Sequence, residues 1–294
     1  MGDFVIGTVI VLFYPKEDGL RNLLQILMNS ENTISIVVDN TPEKYKLNLE
    51  KISKNIIYIP LGRNEGIAKA QNIGIKKAIS LGCKYICFFD QDSVISNSYI
   101  SDLFIGYKKI LDWADFNIST IGPRVFDKEK GREYKSRTHR RKEIGTFLLQ
   151  RQIISSGSLI SVAVINEVGL MDESLFIDYV DHEWCWRAVA KGYKCGMLKN
   201  LYLEHKIGYS LNIASYSINV SAPTRYYYQY RNYFYLLGRK YVPIRWKFFH
   251  GIKLGLIFIF IPFFLSERKT VWRNIFTGIK EGIKDRKMRI NAIF

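Results

Sequence analysis

The feature that most constrains the fold is a regular alternation of apolar strands and helical stretches over the first 125 residues. Four apolar runs predict strands, and the stretches around Leu20 to Asn29 and Gly66 to Ser80 predict helices. The predicted strands are VIGTVIVLF, TISIVVDN, NIIYIP and KYICFFD. Strands that alternate with helices indicate an α/β fold with a mostly parallel sheet and crossover helices.

Downstream of this region the pattern is less regular. The stretch QIISSGSLISVAVINEVG predicts a strand, a small-residue turn and a short helix, in that order. A further helix is predicted to begin near Asp181, and CGMLKNLYLEHK predicts a strand that ends at His205. A chain of 294 residues is long enough to hold these elements in one large domain or in a domain with an appendage.

The cysteines and the N-terminus favour a reduced, cytoplasmic setting. The four cysteines contain no CxxC pair and no zinc-ligand spacing. The run FVIGTVIVLF follows Asp3 without a basic segment before it or a small-residue cleavage site after it. It therefore predicts a core strand and not a signal peptide.

Positive charge is concentrated towards the C-terminus. The formal net charge is +16, and from Arg225 onward 15 lysines and arginines stand against three acids, a net charge of +12. The same region holds LGLIFIFIPFFL, 12 uncharged residues from Leu254 to Leu265, whereas a helix that spans a bilayer needs about 20. We therefore expect a helical tail that associates with an anionic membrane surface, with a buried core helix as the alternative. Nucleic acid is not expected as a partner, because no nucleic-acid-binding motif accompanies the basic residues.

Polar residues follow three of the predicted strands. They are Tyr14-Pro15, Asp39-Asn40 and Asp90-Gln91-Asp92. Because ligands of such sheets bind at the carboxyl ends of the strands, we expect a binding site there. The acid pair in FFDQDS offers the hard oxygen ligands that suit Mg²⁺ or Mn²⁺, and a polar turn that closes the strand is the plainer alternative for so short a motif.

Six motifs, taken in order, carry a resemblance to a known family. They are TVIVLFYP, VVDN, GRNEGIAKAQNIGI, FFDQDS, SGSLIS followed by VGLMDESLFIDYVDHEWCWRA, and EH, and they cover roughly residues 5 to 240. In this order they resemble the inverting family-two glycosyltransferases, whose GT-A fold is Rossmann-like. FDQDS, with Gln between the acids, most resembles the rhamnosyltransferases that use dTDP-L-rhamnose to build bacterial surface polysaccharide such as O-antigen.

The resemblance implies a domain organisation and a set of partners. A GT-A domain would cover residues 1–240, with nucleotide binding in about 1–125 and the acceptor and catalytic half in about 150–240. Residues 241–294 would form the basic, apolar helical region. The implied partners are a divalent cation, a nucleotide-sugar donor, an undecaprenyl-diphosphate-linked saccharide acceptor and the cytoplasmic face of the inner membrane.

The resemblance also implies which residues bind the donor nucleotide. They are Thr8, Tyr14, Asp39, Asn40, Asn64, Gly66, Asn72, Asp90 and Gln91. Asp39 would accept the N–H of the base, and a carboxylate that only caps a turn is its alternative. Asn64 has helix N-capping as its alternative role, and Asn72 is an amide in mid-helix that requires a partner.

The general base implied by the resemblance is Asp181, six residues before Arg187, where the family pattern EDxD…R has its catalytic aspartate. The acid that usually precedes this base is replaced by Val180. Asp178 or Glu183 is therefore the candidate residue that orients the base. A helix N-cap is the structural alternative for Asp181.

The remaining candidates concern the metal and the diphosphate. The resemblance implies Asp90, Asp92 and His205 as metal ligands, with a structural histidine as the alternative for His205. Arg231 lies in the tyrosine-rich stretch TRYYYQYRNYFYLLGRKY and would clamp the diphosphate. Aromatic packing beneath a basic exterior is the alternative for this stretch.

Two other functions compete with sugar transfer. FDQDSV also matches the aspartyl-phosphate motif of haloacid-dehalogenase-type phosphohydrolases, with Asp90 as nucleophile and Asp92 as acid/base. That motif normally lies on the first strand of its fold, whereas about three βα units precede it here. A non-catalytic membrane-surface protein is the second competitor, and it would leave Asp39, Asp92 and Asp181 without a role.

Overall fold

The structure is a computed structural model, and it describes residues 6–42, 55–127, 132–133, 142–204, 209–213, 216–265 and 267–291. The chain divides into two compact units. The first comprises Met1–Phe176 and Val180–Lys206, and the second comprises Ile177–Tyr179 and Ile207–Phe294. The expected functional division between residues 1–240 and 241–294 stays a prediction.

The first unit is built on one large sheet. Its strands are β1 (Ile6–Leu12), β2 (Thr33–Asp39), β3 (Ile56–Pro60), β4 (Tyr85–Asp90), β5 (Ile118–Asp127), β6 (Arg132–Glu133), β7 (Lys142–Ile144), β8 (Phe147–Gln150), β9 (Leu159–Ser161) and β10 (Lys194–Glu204). They lie in the order β3-β2-β1-β4-β9-β5-β10-β8-β7, and β6 pairs with β5. The first four strands of this order are mutually parallel, β9 runs antiparallel between β4 and β5, and β10 is parallel to β5. The predicted α/β class and the four predicted strands are confirmed.

Helices flank this sheet. They are α1 (Glu17–Met28), α2 (Ile67–Ser80), α3 (Tyr99–Trp113), α4 (Val162–Val168) and α5 (Val180–Ala190), with a 3₁₀ helix at Glu173–Leu175. Helix α2 packs on β1 and β2, whereas α3 and α5 pack on β5 and β10. Every residue of β1 and β2 is buried. This burial explains why their sequences are continuous apolar runs instead of alternating ones.

Glycines allow α2 to approach β1 closely. A Cβ added at Gly74 would lie 2.4 Å from Cγ1 of Val9, and one added at Gly7 would lie 2.7 Å from Cβ of Ala78. Neither position has room for a side chain. The helix that follows the third strand is therefore held tightly against the strands whose ends carry the candidate site.

One predicted element is misplaced. The strand in QIISSGSLISVAVINEVG follows the small-residue turn as β9, and the residues before the turn do not form a strand. The turn instead pairs with β4: Phe88 N–H donates to the Ser158 carbonyl at 3.1 Å, and Gly157 N–H donates to the Phe88 carbonyl at 2.6 Å. Gly157 has φ of +75°, which a residue with a side chain rarely adopts. The described part of β10 ends at Glu204, and His205 lies outside the described residues.

The second unit is mainly helical. It contains the hairpin strands β11 (Tyr209–Ile213) and β12 (Tyr216–Val220) and the helices α6 (Pro223–Leu237), α7 (Ile244–Phe264) and α8 (Arg268–Asn291). Its core is formed by Tyr226, Tyr230, Leu254, Val271 and Ile275. The expected helical C-terminal region is present, and α7 continues past Pro262 to Phe264.

Among the residues that the structure describes, no helix combines the length and the apolar character needed to cross a membrane.

Candidate active site

The candidate site begins where β2, β1 and β4 end side by side. In the register of the parallel pairs, Asp39 lies opposite Leu12, and Asp90 lies opposite Val11. The two aspartates therefore flank the end of β1, about 10 Å apart if the usual spacing of neighbouring strands holds. The two strand-end acids therefore lie at one edge of the sheet, and the binding site expected there stays a prediction.

Asp39 is buried, and its carboxylate is held by two donors. One oxygen accepts from the Thr41 backbone N–H at 3.0 Å, and the other accepts from the Tyr58 hydroxyl at 2.5 Å. Burial and the neighbouring Asp39 carboxylate raise the pKa of Tyr58, so this phenol stays a donor. These bonds fix the direction of the Asp39 carboxylate, and recognition of a base by it stays a prediction.

Two asparagines organise the loop between β3 and α2. The Asn40 amide donates to Oδ1 of Asn64 at 3.0 Å, and Oδ1 of Asn40 accepts from the Glu65 backbone N–H at 2.7 Å. Oδ1 of Asn64 also accepts from the Gly66 N–H at 3.0 Å. Gly66 itself occupies the N-cap position, without a side-chain cap and with φ of +82°. Asn64 is therefore a loop-stabilising residue before the cap and not the N-cap.

Gln91 connects the ends of β4 and β1. Its Oε1 accepts from the Phe13 N–H at 2.7 Å, and its Nε2 donates to the Phe13 carbonyl at 3.1 Å. The next residue, Tyr14, has φ of +45°, is half exposed and donates its N–H to the Thr41 hydroxyl at 3.1 Å. The amide of Gln91 thus positions the acid pair on either side of it, and nucleotide contacts of Gln91 and Tyr14 stay predictions.

The turn before β9 supports the acid pair. The Asp90 N–H donates to the Ser156 hydroxyl at 3.2 Å, and the hydroxyls of Ser156 and Ser93 are 2.8 Å apart. Asp92 is exposed beyond the end of β4. Ser156 was not among the predicted site residues, because its only signal in the sequence is the run of small residues SSGS.

The donor set fits a hard divalent cation only in part. Asp90 and Asp92 supply carboxylate oxygens, the ligands that Mg²⁺ and Mn²⁺ prefer. Within the described part of the chain, no three His, Cys, Asp or Glu residues cluster as a metal site would require. The cation would then need further oxygens from a bound diphosphate or water. The role implied for His205 cannot be read from the described residues.

Asp181 lies in the first turn of α5. Its Oδ1 accepts from the His182 backbone N–H at 2.8 Å, and the side chain is partly exposed. It borders a small cavity that also contacts Ser155 and Thr120. The Thr120 hydroxyl is buried without a hydrogen-bond partner among the described protein atoms. Asp181 therefore has a partly exposed carboxylate that one backbone N–H holds, and its role as general base stays a prediction.

Glu183 forms a buried ion pair. Its two oxygens accept from Nε and Nη2 of Arg187, both at 3.0 Å. Arg187 also donates to the carbonyls of Val168 and Leu170 at 2.9 and 2.8 Å. Both acid oxygens therefore face an arginine that joins α5 to the end of α4. This arrangement gives Glu183 a structural role, and its orienting role towards Asp181 stays a prediction.

Two predicted nucleotide-binding residues form hydrogen bonds with other residues of the first unit. Thr8 is fully buried, and its hydroxyl donates to the Ser35 hydroxyl at 2.9 Å. Asn72 donates to the Met171 carbonyl and to Glu173 Oε1 at 3.0 and 2.9 Å, and its Oδ1 accepts from the Met171 N–H at 2.9 Å. Asn72 thus finds the partners that a mid-helix amide requires. The structure groups neither residue with the strand-end aspartates.

In the second unit, Asp178 lies in a strained backbone segment. Asp178 and Tyr179 have φ of +67° and +65°, values that cost non-glycine residues about 1–2 kcal/mol each. Nε of Arg225 donates to the Asp178 carboxylate at 3.3 Å, and a second guanidinium nitrogen pairs with its other oxygen. Asn232 is fully buried and donates to the Ile177 carbonyl at 2.7 Å. Asp178 is therefore an ion-paired residue, and a role in orienting the base stays a prediction.

Arg231 is surrounded by aromatic rings. Its guanidinium lies 5.4, 5.0 and 5.1 Å from the ring centroids of Tyr227, Tyr228 and Tyr235. Nε and Nη2 also donate to Oδ1 of Asn232 at 3.0 and 2.9 Å. These contacts support the aromatic-packing alternative, and the diphosphate clamp stays a prediction.

Comparison with known proteins assigns this arrangement to a family. Residues 8–165 match the family Glycosyl transferase family 2. The chain is 39% identical over 251 residues to the dTDP-rhamnosyl transferase RfbF of Shigella flexneri. This alignment covers 81% of this chain and 82% of that protein. It is 23% identical over 201 residues to the low-salt glycan biosynthesis hexosyltransferase Agl10 of Haloferax volcanii. That alignment covers 62% of this chain and 61% of that protein.

Solved structures share the fold at low sequence identity. The crystal structure of S. aureus TarS 1-349 covers 96% of this chain with a TM-score of 0.59 and 14% identity, and 82% of that chain is matched. The structure of GalNAc-T7 with UDP, GalNAc and Mn²⁺ covers 89% of this chain with a TM-score of 0.55 and 15% identity, and 57% of that chain is matched. The family match extends over more than half of the chain and includes the strand ends that carry Asp39, Asp90 and Asp92. The chain therefore belongs to glycosyl transferase family 2 and is a glycosyltransferase with the GT-A fold.

Proposed function

We propose that this glycosyltransferase moves L-rhamnose from dTDP-L-rhamnose, with inversion, to a saccharide acceptor in bacterial surface polysaccharide such as O-antigen. The observation that carries the proposal is the convergence of Asp39 and Asp90 on either side of the end of β1, followed by the exposed Asp92. The choice of donor is supported by the similarity to the Shigella flexneri dTDP-rhamnosyl transferase over four fifths of the chain. A phosphohydrolase or a non-catalytic protein loses support because the family match covers the acid pair.

The strand ends would bind the donor. Asp39, whose carboxylate is fixed by Thr41 and Tyr58, accepts the N–H of the thymine base. Asp90 and Asp92 would hold Mg²⁺ or Mn²⁺, and that cation, when bound, would supply electrostatic stabilisation of the charge that develops on the leaving diphosphate.

Asp181 would act as the general base. Its carboxylate takes the proton of the acceptor hydroxyl while that oxygen forms a bond to the anomeric carbon. The bond from the anomeric carbon to the diphosphate oxygen breaks on the opposite face, and dTDP leaves with the electron pair. A single displacement of this kind inverts the anomeric configuration. The catalytic half would lie within residues 150–240, and the nucleotide-binding half within about residues 1–125.

We further propose that the acceptor is linked to undecaprenyl diphosphate and that the protein works peripherally at the cytoplasmic face of the inner membrane. Support comes from the net charge of +12 from Arg225 onward, which favours an anionic surface. Residues 241–294 would provide this association. A lipid-linked acceptor and a surface-bound enzyme would then meet by searching in two dimensions.

A thermal-shift panel tests the donor assignment. The wild-type chain is heated with dTDP-L-rhamnose, dTDP-glucose, UDP-N-acetylglucosamine or dTDP, each with Mn²⁺ and with EDTA. A true donor stabilises the folded state by mass action, so we expect dTDP-L-rhamnose with Mn²⁺ to raise the Tm most. An equal shift with UDP-N-acetylglucosamine would contradict the donor, and equal shifts in EDTA would contradict the metal.

A further inference from the structure

One face of helix α7 packs against the rest of the second unit. The residues of this inner stripe are Trp246, His250, Leu254 and Phe258. Trp246 and Leu254 are almost fully buried. The Tyr179 hydroxyl and Nε2 of His250 are 2.6 Å apart, and the ring of Phe258 lies 4.5 Å from Trp272. A spacing of four residues keeps these side chains on one face of the helix.

The opposite face of α7 is apolar and uncovered. The residues of this outer stripe are Phe248, Phe249, Ile252, Leu256, Ile259 and Phe260, and each is between 47% and 63% exposed. Phe248, Ile252, Leu256 and Phe260 each follow an inner-stripe residue by two positions, which places them about 200° around the helix, and Phe249 and Ile259 fall within the same arc. The stripe extends along about 18 Å of the helix axis. Contiguous exposed apolar side chains of this size mark an interaction surface.

The outer stripe continues into a groove beside the start of α7. The groove has a volume of about 610 Å³. Tyr233 and Leu237 of α6 line one side, and Ile244, Phe248 and Phe249 of α7 line the other. The exposed apolar surface is therefore wider than a single helix face.

The charges around the outer stripe are mostly positive, and Glu267 is one exposed acid beside the start of α8. Helix α7 contains no aspartate or glutamate. Arg245 is exposed in its first turn, and Arg268 and Lys269 are exposed at the start of α8, just after the stripe ends. The apolar surface thus has cations near both of its ends, an arrangement that suits an anionic surface.

We propose that the outer stripe docks α7 on an anionic lipid bilayer, with its side chains at the boundary between headgroups and acyl chains. This inference rests on the proposed function, because a lipid-linked acceptor requires such a surface. A second copy of the chain fits less well, since a symmetric contact would bring the same arginines and lysines together. The stripe residues are not part of the proposed catalytic machinery, so docking and sugar transfer are separable.

Vesicle co-sedimentation with the full-length protein tests this surface. The vesicles consist of phosphatidylcholine with or without phosphatidylglycerol, and the test variant carries Ile252→Ser and Leu256→Ser. The matched control is Ile105→Ser on α3, because Ile105 is 50% exposed in the first unit. We expect the wild type and the control to bind the anionic vesicles, and the double variant to bind at least on the order of tenfold more weakly. Salt should weaken the wild-type binding without removing it.

Two outcomes would overturn the proposal. One is equal vesicle binding by the double variant and the wild type, or no binding by either. The other is a dimer of the wild type that the double variant loses in light scattering while vesicle binding is unchanged, which would assign the stripe to self-association. Hydrolysis of dTDP-L-rhamnose is measured on the same samples. Its absence from the wild type would reject the proposed function and leave the vesicle result valid.

Discussion

Strand β1 and helix α7 have similarly apolar sequences but opposite surroundings. Each of the seven residues of β1 is buried, because neighbouring strands pair with both of its edges and α2 packs on it. Helix α7 packs through its inner stripe and through Ile257, and its outer stripe remains exposed. The apolar run of β1 therefore lies wholly in the core of the first unit. The apolar run of α7 contributes to the core of the second unit and also forms an exposed surface.

The two units also differ in the acids available for chemistry. In the first unit, Asp39, Asp90 and Asp92 follow strand ends, and Asp181 opens α5 with a partly exposed carboxylate. In the second unit, Asp178 is paired with Arg225. The proposals place bond making in the first unit and surface attachment in the second. Substitutions in each unit should therefore affect different measurements.

The largest effect is expected from Asp92→Asn. Loss of this carboxylate should abolish turnover of dTDP-L-rhamnose and the Mn²⁺-dependent part of its binding, because the leaving diphosphate loses its cation. Asp112→Asn, an exposed acid on α3, is the matched control and should behave as the wild type. Release of dTDP and circular dichroism are measured together. Normal turnover in a folded Asp92→Asn variant would contradict catalysis at the ends of β1, β2 and β4.

The next largest effect is expected from Asp181→Asn. Loss of a positioned base should lower kcat by a factor on the order of 10²–10⁴, with donor affinity nearly unchanged. Steady-state kinetics and calorimetric titration with the donor check the two parts separately. A variant that keeps the wild-type kcat would move the role to Asp178 or Glu183.

A smaller effect, on the free energy of unfolding, should distinguish the apolar run of β1 from that of α7. Ile10→Ala in β1 should lower the free energy of unfolding by about 2–5 kcal/mol, because Ile10 is fully buried and the substitution leaves a cavity. Ile252→Ala on the outer stripe should change it by no more than about 0.5 kcal/mol. Urea denaturation of both variants is the measurement. Equal losses would mean that the outer stripe is covered in solution, which would contradict the comparison.

The smallest effect concerns the cysteines, which all lie in the first unit and are all buried. Burial raises the pKa of Cys83 to about 11, so its thiolate fraction at pH 8 is about one in a thousand. Burial also raises the pKa of Cys87. We expect iodoacetamide to leave the native protein unmodified and active, and to label all four thiols after unfolding in urea. Labelling by mass spectrometry then reports opening of the first unit alone, and rapid labelling of the native protein would contradict its burial.

Much of the fold could be predicted from local sequence pattern. The runs that form β1, β2, β3 and β4 have five to seven residues and are rich in β-branched or aromatic side chains, so their local sequence alone predicts strands. The position predicted for strand β9 (Leu159–Ser161) was wrong for a physical reason. This strand has three residues, and its stability comes from pairing with β4 on one side and β5 on the other. No local signal records such pairing.

The candidate site was predictable to a lesser degree. Acids at strand ends are visible in the sequence, so Asp39, Asp90 and Asp92 were found. Whether a polar side chain is available to a ligand depends on partners far away in the chain. Gln91 bonds to Phe13, 78 residues before it, and Asn72 bonds to residues around 100 positions after it. The sequence left two possibilities for the apolar run of α7, a membrane-surface helix and a buried core helix, because an apolar run is compatible with both.

The most direct test of the central claim is release of dTDP from dTDP-L-rhamnose by the purified full-length protein. The wild type and Asp92→Asn are each assayed with Mn²⁺ and with excess EDTA, and UDP-N-acetylglucosamine serves as the comparison donor. We predict release by the wild type with Mn²⁺ alone, little release from the comparison donor and none by the variant. Undiminished release in EDTA, or equal release by Asp92→Asn, would contradict metal-assisted transfer at the ends of β1, β2 and β4.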